Sequence, residues 1–402
     1  MTTDTCGLLA LARSLLSPSR PGSICVVRVC IVYDCLYPFT IGGAERWYRN
    51  LAERLASSGH EVTFLTRRQW PRGRDPGVPG VRVIAVSPRM ELYAGGRRRP
   101  LPPLIFGLGV FRHLLRHGRR YDVVHTASFP YFSLLAAGAT RARGRYSIVV
   151  DWHEVWTRAY WRRYAGRVTG DVGWRVQRAC LSVPQRAFCF SRLHERRLRD
   201  EGLTAPLTRL DGQYAGPPPP DAPRSARAVA VFAGRHLPEK RVPALVAALA
   251  QVPDVQGEIY GDGPERPAVL AAIAEHELRS RVSAPGFVDA TVLQEALGTA
   301  LCFVLPSERE GYGLVVIESA AQGVPVVVVA GPENAATELV EEGANGTVAA
   351  SVDAQELAAA IVRVRDAGSS LRESTLAWFR RNASRLSLER SLEQVLDVYG
   401  RD

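Results

Sequence analysis

The chain has 402 residues, of which 46% are hydrophobic, and this length and content favour two or three domains over one. Its net charge of +11 comes almost entirely from arginine, because Lys240 is the single lysine. A basic surface favours phosphates, nucleic acids or anionic lipid headgroups, and charge alone does not choose among them. The sequence has no zinc-finger, K-homology or RNP signature, so we expect no nucleic-acid partner.

The cysteines and the N-terminal segment bear on the compartment. The seven cysteines include no CxxC pair and no metal-finger spacing, which predicts free thiols in a reducing, cytoplasmic environment. No apolar run approaches the ~20 residues that span a bilayer. Residues 1–23 are predicted to be a disordered extension or a misassigned start, because their apolar stretch is short and is interrupted by Arg13. A membrane-touching amphipathic helix is the alternative.

Residues 24–210 are predicted to form a first domain of Rossmann-like α/β type. An apolar strand at 26–33 is followed by a loop with Gly42 and Gly43, a helix that ends near residue 58, and a second strand at 60–65. Further strands are predicted at 81–86, 121–125, 146–150 and 187–191. The glycine spacing differs from GxGxxG, so the loop by itself indicates a nucleotide site only weakly.

Two histidines lie at predicted strand ends, where open α/β sheets bind their ligands. His125 ends one strand and His153 follows the next. A lone histidine is more often structural than catalytic, so both interpretations stay open for each residue. The aromatic residues that follow could stack on sugars or could only pack together; they are Trp152, Trp156, Tyr160, Trp161 and Tyr164.

Residues 95–120 also support two interpretations. Arginines at both ends flank an apolar stretch around Phe111, as in a helix that rests on a membrane surface. The same pattern fits a helix whose apolar face packs in the core and whose arginines are solvated. We favour the core-facing helix, and keep a peripheral contact with the inner face of the cell membrane as the alternative.

A proline-rich segment divides the chain. Residues 211–227 include Gly216 and four consecutive prolines, which predicts a semi-rigid linker. Residues 228–382 then alternate strands and helices again and are predicted to form the second domain, with strands at 228–233, 258–260 and 282–288. Residues 383–402 hold an amphipathic C-terminal helix at 386–399.

Residues 303–318, FVLPSEREGYGLVVIE, predict a buried strand, a loop at 308–313 and the start of a helix. Gly311 and Gly313 can adopt positive φ and let a ligand approach the backbone. The N–H groups of residues 313–315 would lie at a helix N-terminus, where phosphate binds favourably. Glu310 and Glu318 bracket this site, and because a carboxylate repels phosphate, they are better suited to sugar or ribose hydroxyls. The segment therefore predicts a nucleotide-sugar site.

Residues 306–327, with the pattern P-S-x-x-E-G-Y-G-L-x-x-x-E-S-A-A-x-G-x-P-V-V, resemble the signature of the retaining glycosyltransferases of family four. The resemblance covers roughly residues 24–395. It implies the GT-B fold, in which two Rossmann-like domains face each other across a cleft and the C-terminal helix crosses back to the first domain. It also implies that the acceptor lies mainly on the first domain and the nucleotide-sugar mainly on the second.

The resemblance assigns roles to residues of this chain. Glu310 is expected to contact the transferred sugar, Glu318 the ribose, and His153 the far side of the sugar. Residues 234–241 resemble a G-R-x-x-x-x-K element whose two cations stabilise a departing diphosphate. The catalytic set implied is His153, Arg235, Lys240 and Glu310. The donor-binding set implied is Gly42, Gly43, Gly234, Arg235, Lys240, Gly261, Phe287, Glu310, Gly311, Tyr312, Gly313, Leu314, Val315 and Glu318.

Two segments depart from the family pattern. Residues 330–338 lack the glycine pair found in many relatives, which leaves the sugar contacts of that loop unassigned, and Leu210-Asp211-Gly212 replaces an Asn-Gly turn. No DxD motif accompanies these elements, and two fixed cations can replace magnesium, so we expect neither a metal nor a cofactor besides the donor substrate. The acceptor is expected to be a glycan, a lipid-linked sugar or a small natural product.

Two other classes of function remain open. A sugar-nucleotide epimerase or a phosphorylase could use the same two-domain cleft. A non-catalytic binding protein would fit the basic charge, although a decaying site should have lost at least one of Arg235, Lys240, Glu310 and Glu318.

Overall fold

The computed structural model describes residues 26–94 and 97–400, so the predicted extension at 1–23 lies outside the described residues. The first domain is built on seven parallel strands, in the order β3-β2-β1-β6-β7-β8-β9. A two-stranded antiparallel hairpin, β4 with β5, lies outside this sheet. The strands are β1 Arg28–Val32, β2 Glu61–Arg67, β3 Val81–Ser87, β4 Tyr93–Ala94, β5 Arg97–Arg98, β6 Val123–Ala127, β7 Ser147–Trp152, β8 Arg186–Cys189 and β9 Leu207–Arg209.

Helices connect these strands and bury their apolar faces against the sheet. They are α1 Gly43–Ser57, α2 Leu101–His117, α3 Tyr131–Gly144, α4 Arg158–Ala165, α5 Arg167–Leu181 and α6 Arg192–Asp200. The predicted alternation of strands and helices is therefore confirmed.

The second domain has a six-stranded parallel sheet in the order β12-β11-β10-β13-β15-β17. Its strand Val326–Val329 is four valines, all buried, as expected for a parallel strand covered by helices on both faces. The strands of this sheet are β10 Val229–Ala233, β11 Gln256–Tyr260, β12 Val282–Gly286, β13 Cys302–Leu305, β15 Val326–Val329 and β17 Gly346–Ala349. Two further short strands, β14 Arg309–Glu310 and β16 Glu333–Asn334, pair in parallel with each other outside it. The helices are α7 Val242–Ala250, α8 Arg266–Glu275, α9 Ala290–Thr299, α10 Leu314–Ala321, α11 Ala354–Leu386 and α12 Leu388–Tyr399.

Each sheet reverses its strand order at its first strand. β1 lies between β2 and β6, and β10 lies between β11 and β13. Such a switch point opens a crevice at the carboxyl ends of the strands, where α/β proteins bind ligands. The loops that follow β1 and β10 carry Gly42 and Gly234, and ion pairs described below join the two domains across the cleft.

The C-terminal helix returns to the first domain, as predicted. α11 contains a kink at Gly368, whose φ of 60° and ψ of −142° are non-helical. The chain then passes the linker, where Tyr214 exchanges backbone hydrogen bonds with Leu386 and Leu388. At the end of α12 the Tyr399 hydroxyl lies 2.6 Å from Nδ1 of His125 on β6.

α2 combines features of both predicted alternatives. One face, with Phe106, Val110 and Leu114, is buried. The opposite face leaves a row of apolar residues in solvent: Leu101, Leu104, Leu108 and Leu115. Within the described residues no helix is long and apolar enough to cross a membrane. The five described cysteines are buried and unbridged, which confirms the free thiols for Cys30, Cys35, Cys180, Cys189 and Cys302.

Candidate active site

Two ion pairs join a short helical turn at residues 238–240 to β14. Lys240 Nζ lies 2.6 Å from Glu310 Oε1, and Arg309 Nη2 lies 2.7 Å from Glu239 Oε1. The Lys240 and Glu310 side chains are 20% and 12% exposed. The structure thus brings together two predicted site residues that are 70 positions apart in the sequence.

The turn before α10 requires glycine. Gly313 has φ of +101° at the N-cap of the helix, and a Cβ at this position would lie 2.7 Å from Cβ of Ala336. The first turn of a helix leaves backbone N–H groups without intrahelical acceptors, so α10 presents donors suited to an anion. This geometry provides the N–H donors that the predicted phosphate contacts of Gly313, Leu314 and Val315 require.

Two other predicted glycines allow two loops to approach closely. Gly261 has φ of +114°, and a Cβ there would lie 1.9 Å from the Gly234 carbonyl oxygen. Gly234 N–H donates to the carbonyl of Tyr260 at 3.1 Å. The contact sets the loop that carries Arg235 against the loop after β11, so Gly261 has a structural role whatever its part in donor binding.

His153 lies at the junction of the two domains. Its ring stacks on Phe190 with centroids 4.6 Å apart and meets Tyr48 edge-on at 5.8 Å. Burial lowers its pKa below the ordinary histidine value, so the ring is neutral near pH 7. Its Nε2 is buried and has no hydrogen-bond partner among the described residues. Its carbonyl oxygen lies 2.6 Å from where a Cβ on Gly311 would stand, so only glycine fits there.

His125, by contrast, belongs to a buried polar network. Its Nε2 lies 2.9 Å from Asp151 Oδ1, and the Trp47 indole N–H donates to Asp151 Oδ2 at 2.7 Å. Burial would raise the pKa of Asp151, but His125 and Trp47 together hold it below its ordinary value. The Tyr399 hydroxyl lies against the other ring nitrogen, so His125 connects the C-terminal helix to the first domain. This contact supports the structural interpretation of His125 over the catalytic one.

Arg46 is a cleft residue that sequence reasoning missed. From α1 its Nη1 lies 2.7 Å from Glu318 Oε1 on α10 of the other domain. A cavity of about 600 Å³ opens beside this pair, and Gly43 and Leu314 also line it. The signal available in the sequence is a cation three residues after Gly43, in the first turn of the helix that follows the predicted glycine loop.

Three further predicted donor residues differ in their surroundings. Gly42 is extended, with φ of −179°, and a Cβ there would clash with Glu45 Oε2 at 2.2 Å. Phe287 is 60% exposed after β12. Tyr312 is buried and its hydroxyl donates to the carbonyl of Asp211 in the linker. Its hydroxyl thus connects the loop before α10 to the linker, and the donor contact of Tyr312 stays a prediction.

The segment that departs from the family pattern docks on the first domain. Glu333 forms a two-pronged ion pair with Arg197 of α6, at 2.7 and 2.8 Å. The Glu338 carboxylate accepts hydrogen bonds from the backbone N–H groups of Arg192 and Leu193, both at 2.7 Å. A carboxylate at a helix N-terminus is favoured by the exposed donors and the helix dipole. Residues 330–338 therefore connect the domains along one edge of the cleft.

The sequence matches two family models along its length. Residues 42–210 match the glycosyl transferase 4-like domain, and residues 220–375 match the glycosyl transferases group 1. The chain belongs to the group 1 glycosyltransferases. The predicted enzyme class, a glycosyltransferase, is confirmed.

Individual relatives cover most of the chain. The glycogen synthase of Mycobacterium tuberculosis (strain CDC 1551 / Oshkosh) is 29% identical over 82% of this chain and 84% of its own. The solved sucrose-phosphate synthase of Thermosynechococcus elongatus has a TM-score of 0.77 at 21% identity, covering 93% of this chain and 98% of that one. HepE of Anabaena, solved with UDP and glucose, has a TM-score of 0.72 at 18% identity, covering 94% and 100%. At these identities the structural likeness shows the fold, and it confirms the GT-B architecture.

Proposed function

We propose that this glycosyltransferase moves a sugar from a nucleoside-diphosphate sugar to an acceptor hydroxyl, with retention at the anomeric carbon and without a metal. The observation that carries the proposal is the Lys240–Glu310 pair at 2.6 Å, placed before a glycine-capped helix that carries Glu318 one turn further on. The cation and the free N–H donors suit the phosphates of such a donor, and the two carboxylates suit its hydroxyls. The solved relative that binds UDP and glucose supports the same donor class.

The leaving diphosphate sets the requirement for positive charge. When the bond between the anomeric carbon and the phosphate oxygen breaks, negative charge grows on the diphosphate. Arg235, Lys240 and the N–H groups of residues 313–315 would stabilise that charge electrostatically. Lys240 would then exchange its bond to Glu310 for one to phosphate, which frees the Glu310 carboxylate to orient the sugar hydroxyls.

Retention is proposed through substitution on one face. The acceptor oxygen attacks the anomeric carbon from the side that the diphosphate leaves, and the acceptor proton passes to the departing phosphate oxygen. His153, a neutral ring with a buried and unpartnered Nε2, would contact the far side of the sugar. The anomeric configuration of the product, read by NMR, tests retention. A trapped glycosyl-enzyme would contradict the single-face route in favour of double displacement.

Metal independence is a separate part of the proposal. Two cations that are part of the protein can supply the charge that magnesium supplies elsewhere. We expect unchanged turnover in EDTA, and a complete loss that magnesium or manganese restores would overturn this part.

The donor class is tested with a panel of UDP-, GDP- and dTDP-sugars in the absence of acceptor. We expect slow release of nucleoside diphosphate from one preferred donor. Free sugar as the product supports a transferase whose acceptor is water, whereas an epimerised nucleotide-sugar would support the epimerase alternative. Failure of every donor and every nucleoside diphosphate to bind would overturn the proposal in favour of a binding protein.

We also propose that the acceptor domain contacts an anionic membrane surface through α2. The exposed row formed by Leu101, Leu104, Leu108 and Leu115 lies on the same helix as Arg112 and Arg116, which are also exposed. An apolar row bordered by cations suits the boundary between headgroups and acyl chains. Such a contact would favour a lipid-linked acceptor over a small natural product.

A further inference from the structure

Arg309 is a cleft residue to which the sequence assigned no role. From β14 its guanidinium bonds to both domains: Nη1 donates to the Tyr160 hydroxyl at 2.6 Å and Nη2 to Glu239 at 2.7 Å. Its Nε lies 3.3 Å from Glu154 Oε2. Tyr160 and Glu154 belong to the first domain and Glu239 to the second. The Arg309 side chain is 11% exposed, so these contacts are largely shielded from solvent.

The guanidinium also lies against two aromatic rings. Its central carbon is 4.6 Å from the ring centroid of Trp156 and 5.3 Å from that of Tyr160. Trp156 in turn contacts Tyr160, Trp161 and Tyr164 at centroid distances of 4.9, 4.7 and 5.0 Å. Two members of the aromatic cluster, for which sugar stacking and packing were equal alternatives, thus lie against a cation: Trp156 and Tyr160. A planar cation stacked on aromatic rings is fixed in orientation as well as in position.

The partners of Arg309 are sequence neighbours of the proposed reacting groups. Glu239 immediately precedes Lys240, and Arg309 immediately precedes Glu310. The Arg309–Glu239 ion pair is therefore next to the Lys240–Glu310 ion pair. Glu154 directly follows His153. Burial alone would raise the pKa of Glu154, but the charge of Arg309 and a hydrogen bond from Trp156 hold it below its ordinary value. Glu154 is therefore ionised and available to bind the guanidinium.

We propose that Arg309 is a positioning residue for glycosyl transfer, which sets His153 of the first domain against Glu310 of the second by holding Glu154 and Glu239 on one guanidinium. The inference rests on the proposed function, because the reaction that it serves is that transfer. Arg309 acts through its neighbours and does not itself bind the reacting atoms. A displacement of about 1 Å between reacting groups can lower the rate about a hundredfold.

The test compares Arg309→Ala and Arg309→Lys with a matched control, Arg163→Ala. Arg163 also connects the domains, 2.7 Å from Glu308, but its side chain is 61% exposed. With the preferred donor of the wild type, we expect kcat of Arg309→Ala to fall about a hundredfold while KM changes less than about threefold. Lysine should recover little, because it lacks the planar fork that serves three partners. The control should stay within about twofold of the wild type.

Chemical rescue separates positioning from a general structural defect. Millimolar guanidinium, far below denaturing concentrations, should restore part of kcat to Arg309→Ala, and equal ammonium chloride should not. A wild-type kcat in Arg309→Ala, or a loss that guanidinium leaves unchanged, would overturn the positioning role.

A measurement without turnover separates this inference from the proposed function. Small-angle X-ray scattering should give a larger radius of gyration for Arg309→Ala than for Arg163→Ala, because the first variant loses a shielded connection between the domains and the second loses an exposed one. A wild type that binds no donor and no nucleoside diphosphate defeats the proposed function, whereas equal radii of the two variants defeat the role of Arg309.

Discussion

Arg46 of α1 and Glu318 of α10 form an ion pair across the cleft, with 2.7 Å between Nη1 and Oε1. Glu318 is the carboxylate proposed to hold the donor ribose, so donor binding would replace the guanidinium with ribose hydroxyls. The pair therefore connects domain closure with donor binding.

This relationship predicts opposite effects of substitutions at its two ends. Glu318→Gln should raise the donor KM about tenfold to a hundredfold with a smaller change in kcat, because hydrogen bonds to a charged acceptor are worth about 1.5–3 kcal/mol. Arg46→Gln should lower the donor KM a few-fold, because ribose no longer displaces a cation. Both are read from initial rates of donor hydrolysis. A tenfold higher KM in Arg46→Gln would show instead that Arg46 binds the donor.

The contact of Glu338 with α6 allows a test of domain closure at the other edge of the cleft. Glu338→Gln keeps the shape of the side chain but removes the charge that accepts two N–H bonds at the start of α6. We expect a stability loss of about 1 kcal/mol or less, because Ser191 also caps this helix. The radius of gyration without donor should increase, and a saturating donor should restore the wild-type value. An unchanged radius would show that this contact does not hold the domains together.

His194 predicts a loss of stability in mild acid. Its Nδ1 accepts a hydrogen bond from the Val155 N–H at 3.2 Å, and burial lowers its pKa to about 4. An unfolded histidine has a pKa of about 6.5. Between these two pKa values the unfolded chain binds a proton at His194 and the folded chain does not. The contribution of the neutral His194 to stability is therefore complete above about pH 6.5 and is lost as the pH falls toward 4.

Urea unfolding of the wild type and His194→Gln at pH 7.5 and 4.5 checks this. We subtract the unfolding free energy of His194→Gln from that of the wild type. This difference should be about 2 kcal/mol smaller at pH 4.5 than at pH 7.5. Equal differences at the two pH values would contradict a buried, neutral His194.

The exposed row on α2 predicts binding to anionic vesicles. Leu108 is 56% exposed on this helix, and Leu108→Glu adds both a charge and a polar group to the apolar row. We expect at least fivefold weaker co-sedimentation with phosphatidylglycerol vesicles for this variant. Leu270→Glu is the control, because Leu270 is similarly exposed, at 45%, but lies on α8 of the other domain. A wild type that does not sediment with the vesicles would contradict the membrane contact.

The strands and the donor segment could be predicted because their signals are local. Four consecutive valines at 326–329 specify a strand buried on both faces, and Gly313 marks a positive-φ turn before α10. The order of these elements along the chain then indicated two Rossmann-like domains, and the family resemblance implied that the C-terminal helix crosses back to the first.

The contacts between domains could not be predicted in the same way. Arg46 and Glu318 are 272 positions apart, and Arg309 and Tyr160 are 149 positions apart. Which cation meets which carboxylate depends on the angle of closure, and no local pattern encodes that angle. Tyr312 shows the converse: it lies inside the recognised motif, yet its hydroxyl bonds to the linker. A motif indicates where a residue lies more reliably than which way its side chain points.

The measurement that tests the central claim most directly is acceptor-free hydrolysis of the preferred nucleotide-sugar by the wild type, Lys240→Ala and Glu310→Ala. Removing either member of a largely buried pair also lowers stability, so melting temperatures are measured alongside and rates are compared where all three proteins are folded. We predict that the wild type hydrolyses one donor and that kcat falls about 100-fold to 1,000-fold in each variant. Folded variants with wild-type hydrolysis would contradict the assignment of the donor site to Lys240 and Glu310.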